Sequence, residues 1–299
     1  MSAPSRSALF SALGAVYLIW GSTYLAIKFA VETLPPFLMA GVRFVVAGAL
    51  LYLWMRLRGE SRPTPLQWAN ATVVGGCLIL GGNGGVVWAA QYVPSGIIAL
   101  IIATVPLWMV LLEWGRGVRP SGGVILGLLL GLLGIVLLIR PGELQTHREI
   151  HVGGALVLLF AAFSWAVGSI YSRRATLPSS ALLATGMEMI MGGALQVLVG
   201  MLMGEWGRLE LDSVSWRSAL SFIYLIVFGS WVGFSAYIWL LRVTTAAIAS
   251  TYAYVNPVVA VFLGWALAGE VFSERTLLAA VIIIVAVALI TFYSTRRSP

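Results

Sequence analysis

Long apolar runs alternate with short connections marked by Pro, Gly and Arg along all 299 residues. Each run is about 20 residues long, which is what a helix needs to cross the hydrocarbon of a bilayer. The pattern predicts helices over 8–30, 36–57, 66–92, 95–115, 121–140, 151–173, 178–203, 215–242, 245–268 and 273–295. Helix breakers fall between them: Pro35-Pro36, Pro63 and Pro65, Pro94, Pro120, Pro141-Gly142 and Pro178. The longest connection, near 204–214, is too short for an attached soluble domain. Apolar positions are continuous rather than alternating, which argues against an outer-membrane barrel. In hydrocarbon a helix satisfies its own backbone, so the runs are read as helical. The first run is long, carries Lys28 near its end and is followed by no small-residue cleavage site. It is read as a span and not as a removable leader.

Composition agrees with that reading and excludes others. The chain is 60% hydrophobic and 10% charged, against about 25% charged in an average soluble domain. An ordinary soluble enzyme and a disordered chain are both ruled out. One lysine, Lys28, stands against seventeen arginines. Lys28 is followed by Phe29, so the phosphate-binding GxxxxGK[ST] loop is absent. Cys77 is the single cysteine, so no intramolecular disulfide can form. The net charge of +7 comes from short Arg clusters between the runs, a membrane pattern and not a nucleic-acid surface. Eleven Lys and Arg fall at the termini and the connections after even-numbered helices, against six in the other connections. The positive-inside rule then places both termini in the cytoplasm.

The two halves of the chain resemble each other. At an offset of 145, Trp20 matches Trp165, Gly41 matches Gly186, and Gly48-Ala49-Leu50 matches Gly193-Ala194-Leu195. At an offset of 151, Gly82 matches Gly233, Trp88 matches Trp239 and Pro106 matches Pro257. The offset grows where the 204–214 connection is longer. The predicted fold class is an all-α integral membrane protein of ten transmembrane helices, built as two inverted five-helix repeats, 1–142 and 143–299. An odd number of spans per copy turns the second copy upside down. That architecture is typical of secondary transporters, with substrate held near the midplane.

Several of these features together resemble the EamA-type drug/metabolite transporters, and among them the YddG-type amino-acid exporters. The carriers of the resemblance are the 5+5 arrangement, the Trp20–Tyr24 run WGSTY, a Pro in helices 4 and 9, and Tyr254–Glu270, YVNPVVAVFLGWALAGE. The first copy departs from the pattern, with Val105-Pro106 in place of Asn-Pro and Arg119 aligned with Glu270. The resemblance implies export of amino acids or related metabolites across a bacterial inner membrane.

Candidate substrate-binding residues are Trp20, Tyr24, Asn83, Trp165, Ser169, Tyr252 and Asn256. Tyr17, Trp20 and Tyr24 share one face of helix 1, and large aromatics can line a cavity while bringing a polar tip to it. Trp165 holds the place of Trp20 in helix 6, with Ser169 one turn on; across a twofold axis the two indoles would face each other. Asn83 in helix 3 needs a helix or a cavity to face, since an unpaired amide in lipid is costly. Tyr252 and Asn256 stand at i, i+4 in helix 9, directly followed by Pro257. Gly81, Gly82, Pro106, Gly233 and Pro257 are candidate hinges, because Pro removes a backbone donor and clashes with the preceding turn. The alternative for each is plain packing. In helix 8, Tyr224, Phe228, Trp231 and Ser235 share a face that is read as core. Arg43 and Glu188, equivalent at the 145 offset, are charges inside spans and therefore functional candidates. Two roles fit them: an ion pair or proton-coupling site centred on Glu188, or separate structural bonds, with Arg43 reaching towards the outer interface. His147 and His151, near Glu143 and Glu149, have metal-ligand spacing but are read as solvated loop residues. No metal and no cofactor is expected.

The expected partners are a small-molecule substrate and the lipid bilayer, with no nucleic acid. Oligomeric state is left open between a monomer, with the small-residue faces of helices 5 and 10 against lipid, and a packing of those faces on a partner. The leading function is alternating-access export of amino acids, aromatic or other apolar ones included, or related metabolites, with the 3–4 and 8–9 hairpins as gates. Export of other drugs or metabolites is the alternative. An intramembrane enzyme would need a base, nucleophile or metal site at depth, and mid-span His and Asp are absent. A non-transporting binding subunit is the third reading.

Overall fold

The computed structural model describes residues 6–139, 151–244 and 252–295. The described residues form helices and turns, with no strand. We number the helices α1 (Ser7–Ala30), α2 (Pro36–Leu57), α3 (Pro65–Ala89), α4 (Ser95–Gly115), α5 (Gly122–Ile139), α6 (Val152–Ser172), α7 (Ala181–Leu202), α8 (Trp216–Leu240), α9 (Tyr252–Ala268) and α10 (Glu274–Thr295). By length and apolarity, α1–α4 and α6–α8 are the seven long enough to cross a membrane among the described residues. The apolar parts of α5 and α9 given by Gly122–Leu138 and Val255–Ala268 are shorter. The start expected for helix 9, together with His147, Glu143 and Glu149, lies outside the described residues.

Local chemistry sets the helix starts. Thr64 and Gln67 close a reciprocal capping box ahead of α3. Ser180 accepts from the Leu183 amide and Ser215 from the Ser218 amide, satisfying donors that a helix leaves free in its first turn. His151 begins α6 in the same way, its Nδ1 accepting from the Gly154 amide at 2.9 Å, while its ring stacks on Tyr92.

Small residues set how the helices cross. In α2 and α7, Gly41 faces Gly193 and Gly48 faces Gly186. A Cβ on Gly41 would stand 2.8 Å from the Gly193 carbonyl, and one on Gly48 2.7 Å from the Gly186 carbonyl. Backbones approach this closely only where side chains are absent. The pairs are reciprocal: each glycine meets the counterpart, at the 145 offset, of the other glycine in its own helix. The small residues of α5 face α10. Gly127 packs against Ile290 and Gly134 against Ile283.

Three helices carry wide, π-type turns: Val16–Trp20 in α1, Gly76–Asn83 in α3 and Leu225–Phe234 in α8. A wide turn loosens the backbone ladder, and side-chain donors take up the carbonyls. Ser164 donates to the Cys77 carbonyl at 2.8 Å, Gln196 to the Ile79 carbonyl at 2.8 Å, and the Trp20 indole to the Gly229 carbonyl at 3.2 Å. The two proline helices differ. α4 is interrupted between Ile102 and Val105, just before Pro106, and the Thr104 hydroxyl donates to the Ile101 carbonyl. α9 runs unbroken from Tyr252 to Ala268 through Pro257.

Candidate substrate cavity

The wide turns converge on one cavity. Its wall comprises Trp20, Thr23, Tyr24 and Ile27 of α1, Arg43 and Phe44 of α2, Gly82, Asn83 and Val86 of α3, and Ile102 and Val105 of α4. From the second half of the chain come Ala161 and Trp165 of α6, Gly229 and Phe234 of α8, and Tyr252 of α9. About 80 Å³ of it is open to the centres of water molecules, room for several waters.

Its floor is an aromatic box around Trp20. The Trp20 and Trp165 rings meet edge to face with centroids 5.9 Å apart. Phe234, Tyr237 and Tyr252 stand 5.6, 4.9 and 5.3 Å from Trp20. Two glycines make room for the indoles. A Cβ on Gly82 would lie 2.9 Å from Trp165, and one on Gly233 2.5 Å from the Trp20 nitrogen. Each tryptophan thus rests on a glycine of the opposite half of the chain.

Of the substrate-site residues expected, Trp20, Tyr24, Asn83, Trp165 and Tyr252 line the cavity together. Ser169 is buried beside it, its hydroxyl near that of Tyr237. Asn256 lies outside the wall; with its amide nitrogen turned to the carbonyls, it donates to Tyr17 at 3.1 Å and Tyr252 at 3.3 Å, tying α9 to α1. Gly81 lies against Ser164. Glu188 is buried in α7, its backbone carbonyl against Gly75 of α3, and is not in the cavity wall. Arg43 is in the wall and is buried. Its guanidinium donates to the Asn83 carbonyl oxygen at 3.0 Å and lies 4.2 Å from the Phe44 ring centre. Its side-chain hydrogen bond is therefore to Asn83.

Sequence reasoning missed Phe44, Phe234 and Tyr237. The repeat held a signal for two of them: at the 151 offset, the lining residues Asn83 and Val86 correspond to Phe234 and Tyr237. It also missed a polar closure joining three helices. Lys28, near the end of α1, forms an ion pair at 2.7 Å with the buried Glu270, which follows α9. Glu270 also accepts from the Ser95 and Gly96 amides at 2.8 and 3.2 Å, capping α4. Gly269 makes the turn possible with φ of +62°.

Comparison with known proteins places this arrangement in a family. The model of the EamA-like transporter family matches twice, at residues 6–140 and again at 152–292. The chain belongs to the EamA-like transporter family. It is 42% identical to the uncharacterized inner membrane transporter YedA of Escherichia coli strain K12, over 95% of this chain and 90% of that one. It is 25% identical to the uncharacterized transporter YoaV of Bacillus subtilis, over 94% and 96% of the two chains. A crystal structure of a protein with 22% sequence identity matches 98% of this chain and all of the other with a TM-score of 0.63, a likeness of fold.

Proposed function

We propose that this chain is a secondary transporter that exports amino acids, aromatic and other apolar ones included, or related small metabolites by alternating access. The observation that carries this reading is the cavity itself. It lies at the contact of Trp20 with Trp165, equivalent positions in the two halves, and both halves wall it. In the proposed arrangement the halves, 1–142 and 143–299, are inverted repeats of five spans each in a bacterial inner membrane, with both termini cytoplasmic. The reciprocal glycine contacts of α2 and α7 and the two family matches support it. So does the name of the relative YedA.

With that orientation, Lys28, Ser95 and Glu270 lie on the outer side, and their ion pair and cap form an outer closure. The 3–4 and 8–9 hairpins are the moving gates. Pro106, beside the interruption in α4, and Pro257 act as hinges, with Gly81, Gly82 and Gly233 as points of give in the wide turns. The aromatic floor suits apolar side chains, and Tyr24, Asn83 and Tyr252 supply polar tips.

Flux in proteoliposomes holding only the purified protein tests the reading. Labelled amino acids are loaded as a mixture and each is followed, with and without a pH gradient. Saturable movement of particular amino acids is expected, and a response to the gradient would assign proton coupling. No movement of any amino acid by folded protein would overturn the amino-acid assignment.

A further inference from the structure

Among the described residues that line the cavity, Arg43 alone carries a charge. It is 3% exposed, and no carboxylate forms an ion pair with it among the described residues. An arginine keeps its charge in proteins and offers five N–H donors. One donor is taken by the Asn83 carbonyl oxygen, and Nε is buried without a partner. The bond to Arg43 fixes the Asn83 amide so that its NH2 is a second donor, with no acceptor among the described residues. Burying a cation is costly unless an anion and hydrogen bonds compensate it. Among the described residues the compensation is one amide oxygen and one aromatic ring.

We propose that Arg43 is the receptor for a carboxylate on the transported solute, with the Asn83 amide as a second donor. The inference rests on the carrier reading above and adds the anionic group that the substrate must bring. A guanidinium presents a planar fork that matches a carboxylate. One cation in an otherwise uncharged wall balances a single negative charge. A phosphate monoester carries about −1.5 to −2 and would be left partly uncompensated. Arg43 sits about two turns in from the Pro36 end of α2, with the aromatic box as the remaining wall. The solute is then held by its carboxylate at Arg43 and by its apolar part against Trp20, Trp165 and Phe234. An ammonium group on the same solute can lie over an aromatic face.

The test uses the purified full-length chain in proteoliposomes and compares each amino acid with its own amide, for example L-phenylalanine with L-phenylalaninamide and L-leucine with L-leucinamide. Wild type should move the carboxylated member at least about tenfold faster at low concentration, the discrimination expected when a charged hydrogen bond is lost. Arg43→Gln should bring the ratio of acid to amide close to one, chiefly by raising KM for the acid. Arg43→Lys, which keeps the charge but not the fork, should keep part of the ratio. The comparison on wild type and the lysine variant keep the proposal falsifiable if the glutamine variant does not fold.

Saturable flux with acid and amide moved equally by wild type would overturn the role of Arg43 and leave the carrier reading intact. An unchanged ratio in folded Arg43→Gln would do the same. No saturable flux of any amino acid or amide would overturn both the role of Arg43 and the amino-acid assignment.

Discussion

Trp20 and Trp165 occupy their places because Gly82 and Gly233 have no side chains. Gly82→Ala and Gly233→Ala each force a methyl group within contact distance of an indole. Overpacking of this kind costs about 1–3 kcal/mol, so each variant should melt several degrees lower in detergent and transport more slowly. Gly14, with nothing within 4 Å of a built Cβ, is the control, and Gly14→Ala should behave as wild type. Equal stability and flux in all three variants would contradict the packing account. At this scale the sequence was informative where the repeat was used. Matching Trp20 to Trp165 brings together two residues whose rings do touch. The face chosen in helix 8 was another matter. Tyr224 and Phe228 stack on each other, and Phe228 is 46% exposed, while Gly229, Phe234 and Tyr237 turn to the cavity and its floor. Gly229 and Phe234 lie inside the wide turn over Leu225–Phe234, where more than about 3.6 residues per turn make helical spacing a poor guide to the inward face.

At the scale of elements, one side chain holds three helix ends together. Glu270 pairs with Lys28 of α1, caps α4 and lies just beyond the end of α9. Glu270→Gln should therefore loosen the closure as well as the fold. Breaking a buried pair by removing one charge costs about 3–5 kcal/mol; Lys28 is 23% exposed, so the lower end or less is expected. Removing both charges with Lys28→Met should restore part of the stability, because no lone buried charge is left. Melting temperatures of the two single variants and the double variant check this, and strictly additive losses would refute the coupling. The pair joins residues 242 positions apart, a distance no local pattern can report. Helix starts were far more legible: those expected at 66, 95 and 215 lie within one residue of the observed Pro65, Ser95 and Trp216. Proline gave a mixed result. Pro106 follows an interruption and Pro257 sits in an unbroken helix.

At the scale of the whole molecule, hydrophobic patterning gave the helical class because a chain in lipid has few ways to satisfy its backbone. The glycine contacts of α2 with α7 were half legible. Gly41, Gly48, Gly186 and Gly193 were matched by offset, but their reciprocal meeting across α2 and α7 needed the folded geometry. Counterflow tests most directly whether the two halves take turns in opening one cavity. Proteoliposomes are loaded with an unlabelled amino acid that the flux assay has identified, and a trace of the labelled form is added outside. A carrier that exposes its cavity to one side at a time gives a transient accumulation of label above its equilibrium level, and uptake that speeds up with the internal load. Label that rises only to equilibrium, at a rate indifferent to the internal load, would contradict alternating access.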